Sequence, residues 1–237
     1  MLYWLIPFIA GMVLLFAFLF FRVKEKRVIA VWLKGLTSSM FIATALVAWL
    51  TSNNPTTSFG VFIVLGLFFG LLGDVFLDLK FILTDKEVLY TKLGFTAFGA
   101  GHIFYLTGLF THFFDFSRSV FYIILPILVT CLCVTISLLM EKFTPIKYQK
   151  MKPYVIAYGF LLFFTTSIYM SAAIQSGWQV RTVWVIAIAL IVFATSDLIL
   201  NNTYFAPNCN TPVFIVTNHV FYYVAQFGIA LSLLFLL

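Results

Sequence analysis

The sequence predicts an all-α integral membrane protein with eight transmembrane helices. Three observations carry this. Hydrophobic residues make up 63 % of the 237-residue chain and charged residues 9 %, with a mean hydropathy of +1.09; a soluble domain holds about a quarter charged residues. The apolar residues fall into eight runs, each close to the roughly 20 residues that a helix needs to cross the hydrocarbon core. Within the runs apolar character is continuous, which excludes barrel strands that alternate and are about half as long. The same composition excludes a disordered chain.

The runs lie at approximately 2–21, 29–50, 59–79, 93–112, 119–140, 153–174, 181–200 and 212–237. The first is too long for the apolar core of a signal peptide and no Ala-x-Ala cleavage site follows it, so it reads as a retained helix. A short basic link, Arg22 to Arg27, leads to the second run, and a polar link, Ser52 to Ser58 with Pro55 inside it, leads to the third. The stretches 80–92 and 141–152 are the longest and most charged, and 201–211 is polar without charge. No segment is large enough for a soluble domain, so residues 1–237 are read as one polytopic membrane domain.

The net charge of +6 is assigned to loops at a membrane face and not to nucleic acid. The first, third and fifth loops hold eleven of the 14 Lys and Arg, while the even-numbered loops hold only Arg118 and Arg181. By the positive-inside bias this puts the odd loops in the cytoplasm and both termini outside. Without targeting tails, the expected location is a bacterial cytoplasmic membrane. Three cysteines, Cys131, Cys133 and Cys209, form neither a disulfide framework nor a CxxC metal pair.

An internal echo appears at a distance of four helices. The third run contains Gly73-Asp74-Val75-Phe76-Leu77 and the seventh Ser196-Asp197-Leu198-Ile199-Leu200. The fourth contains Gly101-His102-Ile103-Phe104-Tyr105 and the eighth Asn218-His219-Val220-Phe221-Tyr222. The expectation is a 4+4 parallel repeat with halves of about 1–115 and 116–237.

Ionisable groups inside lipid cost at least about 2.5–3.5 kcal/mol each near a helix centre, so those retained point to function. The runs keep Lys34, Asp74, Asp78, His102, Asp197 and His219. All are expected between the cytoplasmic interface and mid-membrane, which describes a polar cavity opening toward the cytoplasmic leaflet. Tyr105, Asn218, Tyr222 and Gln226 are expected to line it with them. Each has a plainer reading. The aspartates can be structural pairs of Lys34, Asp78 can be solvated, Lys34 can snorkel to the headgroups, and the histidines can be hydrogen-bonded packing residues. His112 is assigned to the outer interface.

Two carboxylates in one cavity suggest an acid/base pair, one protonated and one ionised, suited to protonating a weakly basic substrate and stabilising the cation that results. No G-x-S-x-G turn offers a nucleophilic serine. His102, His219 and the aspartates could give a two-His metal site with carboxylates, but the spacings form no HExxH or other local ligand pair, so the metal signal is weak and the expectation is no cofactor.

At these residues the chain resembles the YhhN family, which includes the lysoplasmalogenases. The resemblance rests on Gly70-Leu71-Leu72-Gly73-Asp74-Val75-Phe76-Leu77, Phe98-Gly99-Ala100-Gly101-His102-Ile103-Phe104-Tyr105, Ser196-Asp197-Leu198-Ile199-Leu200 and Tyr222-Tyr223-Val224-Ala225-Gln226, together with the length and the eight-helix layout. It implies hydrolysis of the vinyl-ether bond of a lysoplasmalogen to a fatty aldehyde and a glycerophospho-base, with Asp74 and Asp197 as the catalytic pair. The substrate would be a lysophospholipid taken from the cytoplasmic leaflet, its phosphate held by Lys34 or by loop Lys and Arg. The chain departs from the family pattern at Gly35, where the family tends to have proline, at the polar Asn201 and Asn202, and at the additional acid Asp78. Three other readings stand beside this one: another membrane lipid hydrolase using zinc, a transporter, and a non-catalytic lipid-binding protein.

Overall fold

The computed structural model describes residues 2–236. Among them are eight α-helices and no strand. The helices are α1 (Leu5–Val23), α2 (Arg27–Leu50), α3 (Ser58–Leu79), α4 (Glu87–His112), α5 (Phe121–Phe143), α6 (Lys152–Gln175), α7 (Arg181–Phe205) and α8 (Pro212–Ser232). All eight are long and apolar enough to cross a membrane.

Local chemistry sets several of the ends. The Thr57 hydroxyl accepts from the Phe59 amide and caps α3. Thr211 does the same for the Phe214 amide of α8, with Pro212 in the first turn, where its missing N–H costs nothing. Behind α6 the chain turns through Gly177 and Trp178, both in the left-handed region at φ 61° and 63°. The Trp178 amide closes that turn on the Ala173 carbonyl at 2.9 Å.

Two helices extend well past their expected runs, and α8 ends at Ser232, five residues before the end of its run, giving way to a 3-10 turn over Leu233–Phe235. α4 begins six residues before its apolar run, and α7 continues five residues beyond its own. Hydropathy marks the hydrocarbon span rather than the helix, and polar turns continue into the headgroup zone. There Asn201 donates to the Tyr148 hydroxyl at 3.0 Å and Asn202 to the Leu198 carbonyl at 2.9 Å.

Sequential helices pack as neighbours except α4 and α5, and the pairs α3–α4, α7–α8 and α1–α2 are the most extensive. Two further contacts close the bundle, α4 on α6 and α2 on α8. The α3–α4 seam is glycine-lined. A Cβ on Gly101 would lie 2.8 Å from the Gly66 carbonyl oxygen, so these two backbones approach too closely for any side chain. The seam between α7 and α8 is polar, with Asn218 donating to the Ser196 carbonyl at 2.8 Å while the Ser196 hydroxyl donates to the Asn218 carbonyl at 3.1 Å. In contrast, α5 leaves Phe121, Leu125, Leu128 and Leu132 exposed along one face, as a lipid-facing helix does.

The odd-numbered loops share one end of the bundle: Lys80, Lys147, Lys150 and Pro207 border a common basin. At the opposite end Asn53, Arg181 and the C-terminal turn at Leu234 and Phe235 lie together.

Candidate active site

The buried charges gather between α1, α2, α3, α7 and α8, toward the odd-loop end. Asp74 stands about three-quarters of the way along α3 and is 2 % exposed. One of its oxygens accepts from the Ser38 hydroxyl at 2.6 Å and from the Tyr222 hydroxyl at 2.7 Å. The Lys34 ammonium lies 3.3 Å from the other oxygen. Asp78, one helical turn further on the same face, takes the same ammonium at 3.1 Å, and the Arg22 guanidinium stands 3.9 Å away. Two cations therefore face two carboxylates. The second network is smaller: Asp197 on α7 accepts a hydrogen bond from the Tyr158 hydroxyl of α6, and it takes part in no ion pair among the described residues.

Both networks border one pocket of about 610 Å³. Of the residues singled out in the sequence, Asp74, Asp197, Lys34, Asp78, Asn218, His219 and Tyr222 line it. The other three are buried one layer behind. Gln226 sits a turn deeper on α8 and donates to the Tyr222 hydroxyl at 2.9 Å. The His102 ring lies 5.9 Å from that of Tyr158 and an equal 5.9 Å from that of Tyr105. His102 Nδ1 and the Tyr105 hydroxyl have no hydrogen-bond partner among the described residues. His219 turns its Nδ1 to the Ile215 carbonyl at 2.7 Å and leans on Phe18.

Several plainer readings are replaced. Lys34 does not reach the headgroups; it is buried, and its ammonium is taken up by two carboxylates, which leaves it unsuited to holding a phosphate. Asp78 is likewise buried rather than solvated. Arg22, counted as a loop cation, is the penultimate residue of α1 and lies over the Phe81 ring at 3.7 Å. His112 does lie at the even-loop end, hydrogen-bonded to Ser58 at 2.9 Å.

Sequence reasoning missed Ser38, Tyr158, Tyr204 and Tyr223. Ser38 carried a signal, since it follows Lys34 by one helical turn and so shares its face. Tyr223, whose hydroxyl lies 3.1 Å from that of Ser38, and Tyr158 carried none, being two among 11 tyrosines in aromatic-rich helices.

A second opening adjoins the first. A groove runs between α5, α6 and α7, walled by apolar residues such as Val134, Leu138, Leu162 and Ala194. Asp197, Tyr158 and Tyr204 border both the groove and the carboxylate pocket. The polar chamber thus adjoins an apolar one, with Asp197 on their common border.

Among the described residues no three His, Cys, Asp or Glu side chains converge as a metal site would need. The family model for the YhhN family matches residues 29–233. The chain belongs to the YhhN family. The matched span takes in every YhhN residue of both carboxylate networks except Arg22. Neither a curated protein nor a solved structure matches the chain.

Proposed function

We propose that this YhhN-family protein hydrolyses the vinyl-ether bond of lysoplasmalogens. The observation that carries the reading is the position of Asp197, on the border between a pocket holding a second carboxylate and a groove fit for a hydrocarbon chain. The resemblance to lysoplasmalogenases, carried by Gly73-Asp74 and Ser196-Asp197, supplies the substrate class.

The chemistry needs an acid, an anion and water. Protonation of the vinyl β-carbon converts R–CH=CH–O–R′ into an oxocarbenium ion. Water adds to it and loses a proton, and the hemiacetal collapses to the aldehyde R–CH2–CHO and the alcohol HO–R′. The acid role falls on Asp197, the carboxyl of the pair with no cation beside it. Asp74, held by Ser38, Tyr222 and Lys34, is a fixed anion facing the same pocket, placed to stabilise the cation and orient water. Lys34 balances its charge and fixes its position, while Lys34 and Arg22 together face the neighbouring Asp78.

Three features support a parallel repeat of the two halves. The neighbour pattern of α1–α4 recurs in α5–α8, and α4 on α6 has its counterpart in α8 on α2. Each aspartate receives a partner from the preceding helix, Lys34 and Ser38 for Asp74 and Tyr158 for Asp197. The symmetry breaks at the tyrosines, because Tyr222 reaches Asp74 while its counterpart Tyr105 has no partner. The positive-inside bias puts the carboxylate pocket toward the cytoplasm, with both termini outside and the substrate entering from the inner leaflet.

The test uses purified protein in detergent, with and without EDTA. It is incubated with a lysoplasmalogen and the matching acyl and alkyl lysolipids, and products are read by mass spectrometry. Aldehyde from the vinyl ether alone, indifferent to chelator, is the expected result. Fatty acid released from the acyl lipid, or no product from any of them, would replace this reading.

A further inference from the structure

Lys80 follows the last turn of α3 and is 6 % exposed. Its ammonium sits over the Tyr204 ring, 3.2 Å from the centroid, with the Phe81 ring at 5.0 Å. It belongs to no ion pair among the described residues. A buried ammonium is costly unless an anion meets it, and an aromatic face returns only about 0.5–2 kcal/mol. Lys80 is thus a buried amine that has no counter-ion among the described residues.

Its surroundings indicate the counter-ion's source. Lys80 borders the basin of about 1140 Å³ at the odd-loop end, together with Lys147, Lys150, Thr91 and Glu87. Lys147 is anchored at the rim, donating to the Glu141 carbonyl at 2.7 Å. Tyr204, the ring under the ammonium, borders this basin, the carboxylate pocket and the apolar groove alike. A basic chamber, an acidic chamber and an apolar chamber therefore meet at one side chain. That order matches a single-chain phospholipid, with an anionic diester, a short glycerol and a hydrocarbon tail.

We propose that Lys80 is the phosphodiester-recognition residue of this site, so that a lysophospholipid lies with its phosphate at Lys80, its sn-1 oxygen beside Tyr204 and Asp197, and its chain in the α5–α6–α7 groove. This rests on the lipid reading above and adds to it the group that selects a phosphate-bearing substrate. The phosphate oxygens accept from the ammonium in a charge-assisted bond. Burial, aided by Arg22 and Lys34 and opposed by Glu87 and Asp78, pushes the free Lys80 ammonium down to about 7. Anion binding therefore draws on a group that is only partly charged at neutral pH.

The test measures equilibrium binding to the full chain in detergent, using lysophosphatidylcholine, a monoacylglycerol of the same chain and glycerophosphocholine. Lysophosphatidylcholine carries no group titrating near neutrality. The wild type is expected to bind it well above the monoacylglycerol. Lys80→Gln should weaken lysophosphatidylcholine about tenfold or more and leave the monoacylglycerol unchanged. Raising pH from 6 to 8.5 should weaken wild-type binding, whereas Lys80→Arg, charged throughout, should bind with no such slope. Three results would overturn the inference alone: unchanged lysophosphatidylcholine binding in Lys80→Gln, an equal loss for both lipids, or glycerophosphocholine binding as tightly as the lipid. A wild type that binds neither lipid would overturn the lipid reading with it.

Discussion

Tyr158 on α6 donates its hydroxyl to Asp197 on α7, and among the described residues no cation stands within ion-pair distance of that carboxyl. The opposite holds at Asp74, which has two hydroxyl donors and an ammonium. The two acids of one pocket thus have unlike environments, the arrangement by which a carboxylate pair divides acid and anion roles. Tyr158→Phe removes the one hydrogen bond that holds the Asp197 side chain in place. The expected outcome is a fall of about 2- to 10-fold in kcat, the range of a hydrogen bond to a neutral carboxyl, with KM little changed and the melting temperature close to wild type.

Lys34→Met leaves Asp74 and Asp78 buried without their shared cation. Removing one partner of a buried ion pair costs about 3–5 kcal/mol. The expected outcome is a sharply lower melting temperature in detergent. Adding Asp78→Asn should restore part of it, because the two sites share one interaction and are not additive. Thermal unfolding of both variants checks this.

Gly101→Ala puts a methyl group 2.8 Å from the Gly66 carbonyl oxygen. Neither backbone can yield without parting α3 from α4. A destabilisation of about 1–3 kcal/mol is expected, with a loss of turnover because α3 carries Asp74. The same substitution at Gly159, whose Cβ would meet nothing within 4 Å, should not lower the melting temperature and serves as the control for stability alone, because Gly159 lines the apolar groove.

The membrane class and all eight helices were legible because hydropathy is read along the chain, and the intramembrane acids stood out for their cost in lipid. The ends of α4 and α7 were not legible, because their outer turns are polar. Nor were the partners. That Lys34 serves two carboxylates and Arg22 a third contact depends on which faces of α1, α2 and α3 meet, and a continuous apolar run leaves helix rotation undefined. Tyr158 and Tyr204 were hidden among other aromatics. His102, Tyr105 and Gln226, singled out as polar, lie behind the pocket surface because they sit one or two turns deeper on the helix faces that carry Phe98 and Tyr222 to it.

Turnover of lysoplasmalogen by Asp197→Asn and Asp74→Asn bears most directly on the two-carboxylate account. General acid–base groups contribute about 10²–10⁴-fold, so each variant should release aldehyde at least a hundredfold more slowly than wild type while remaining folded in detergent. Near-wild-type aldehyde release by either variant would contradict it.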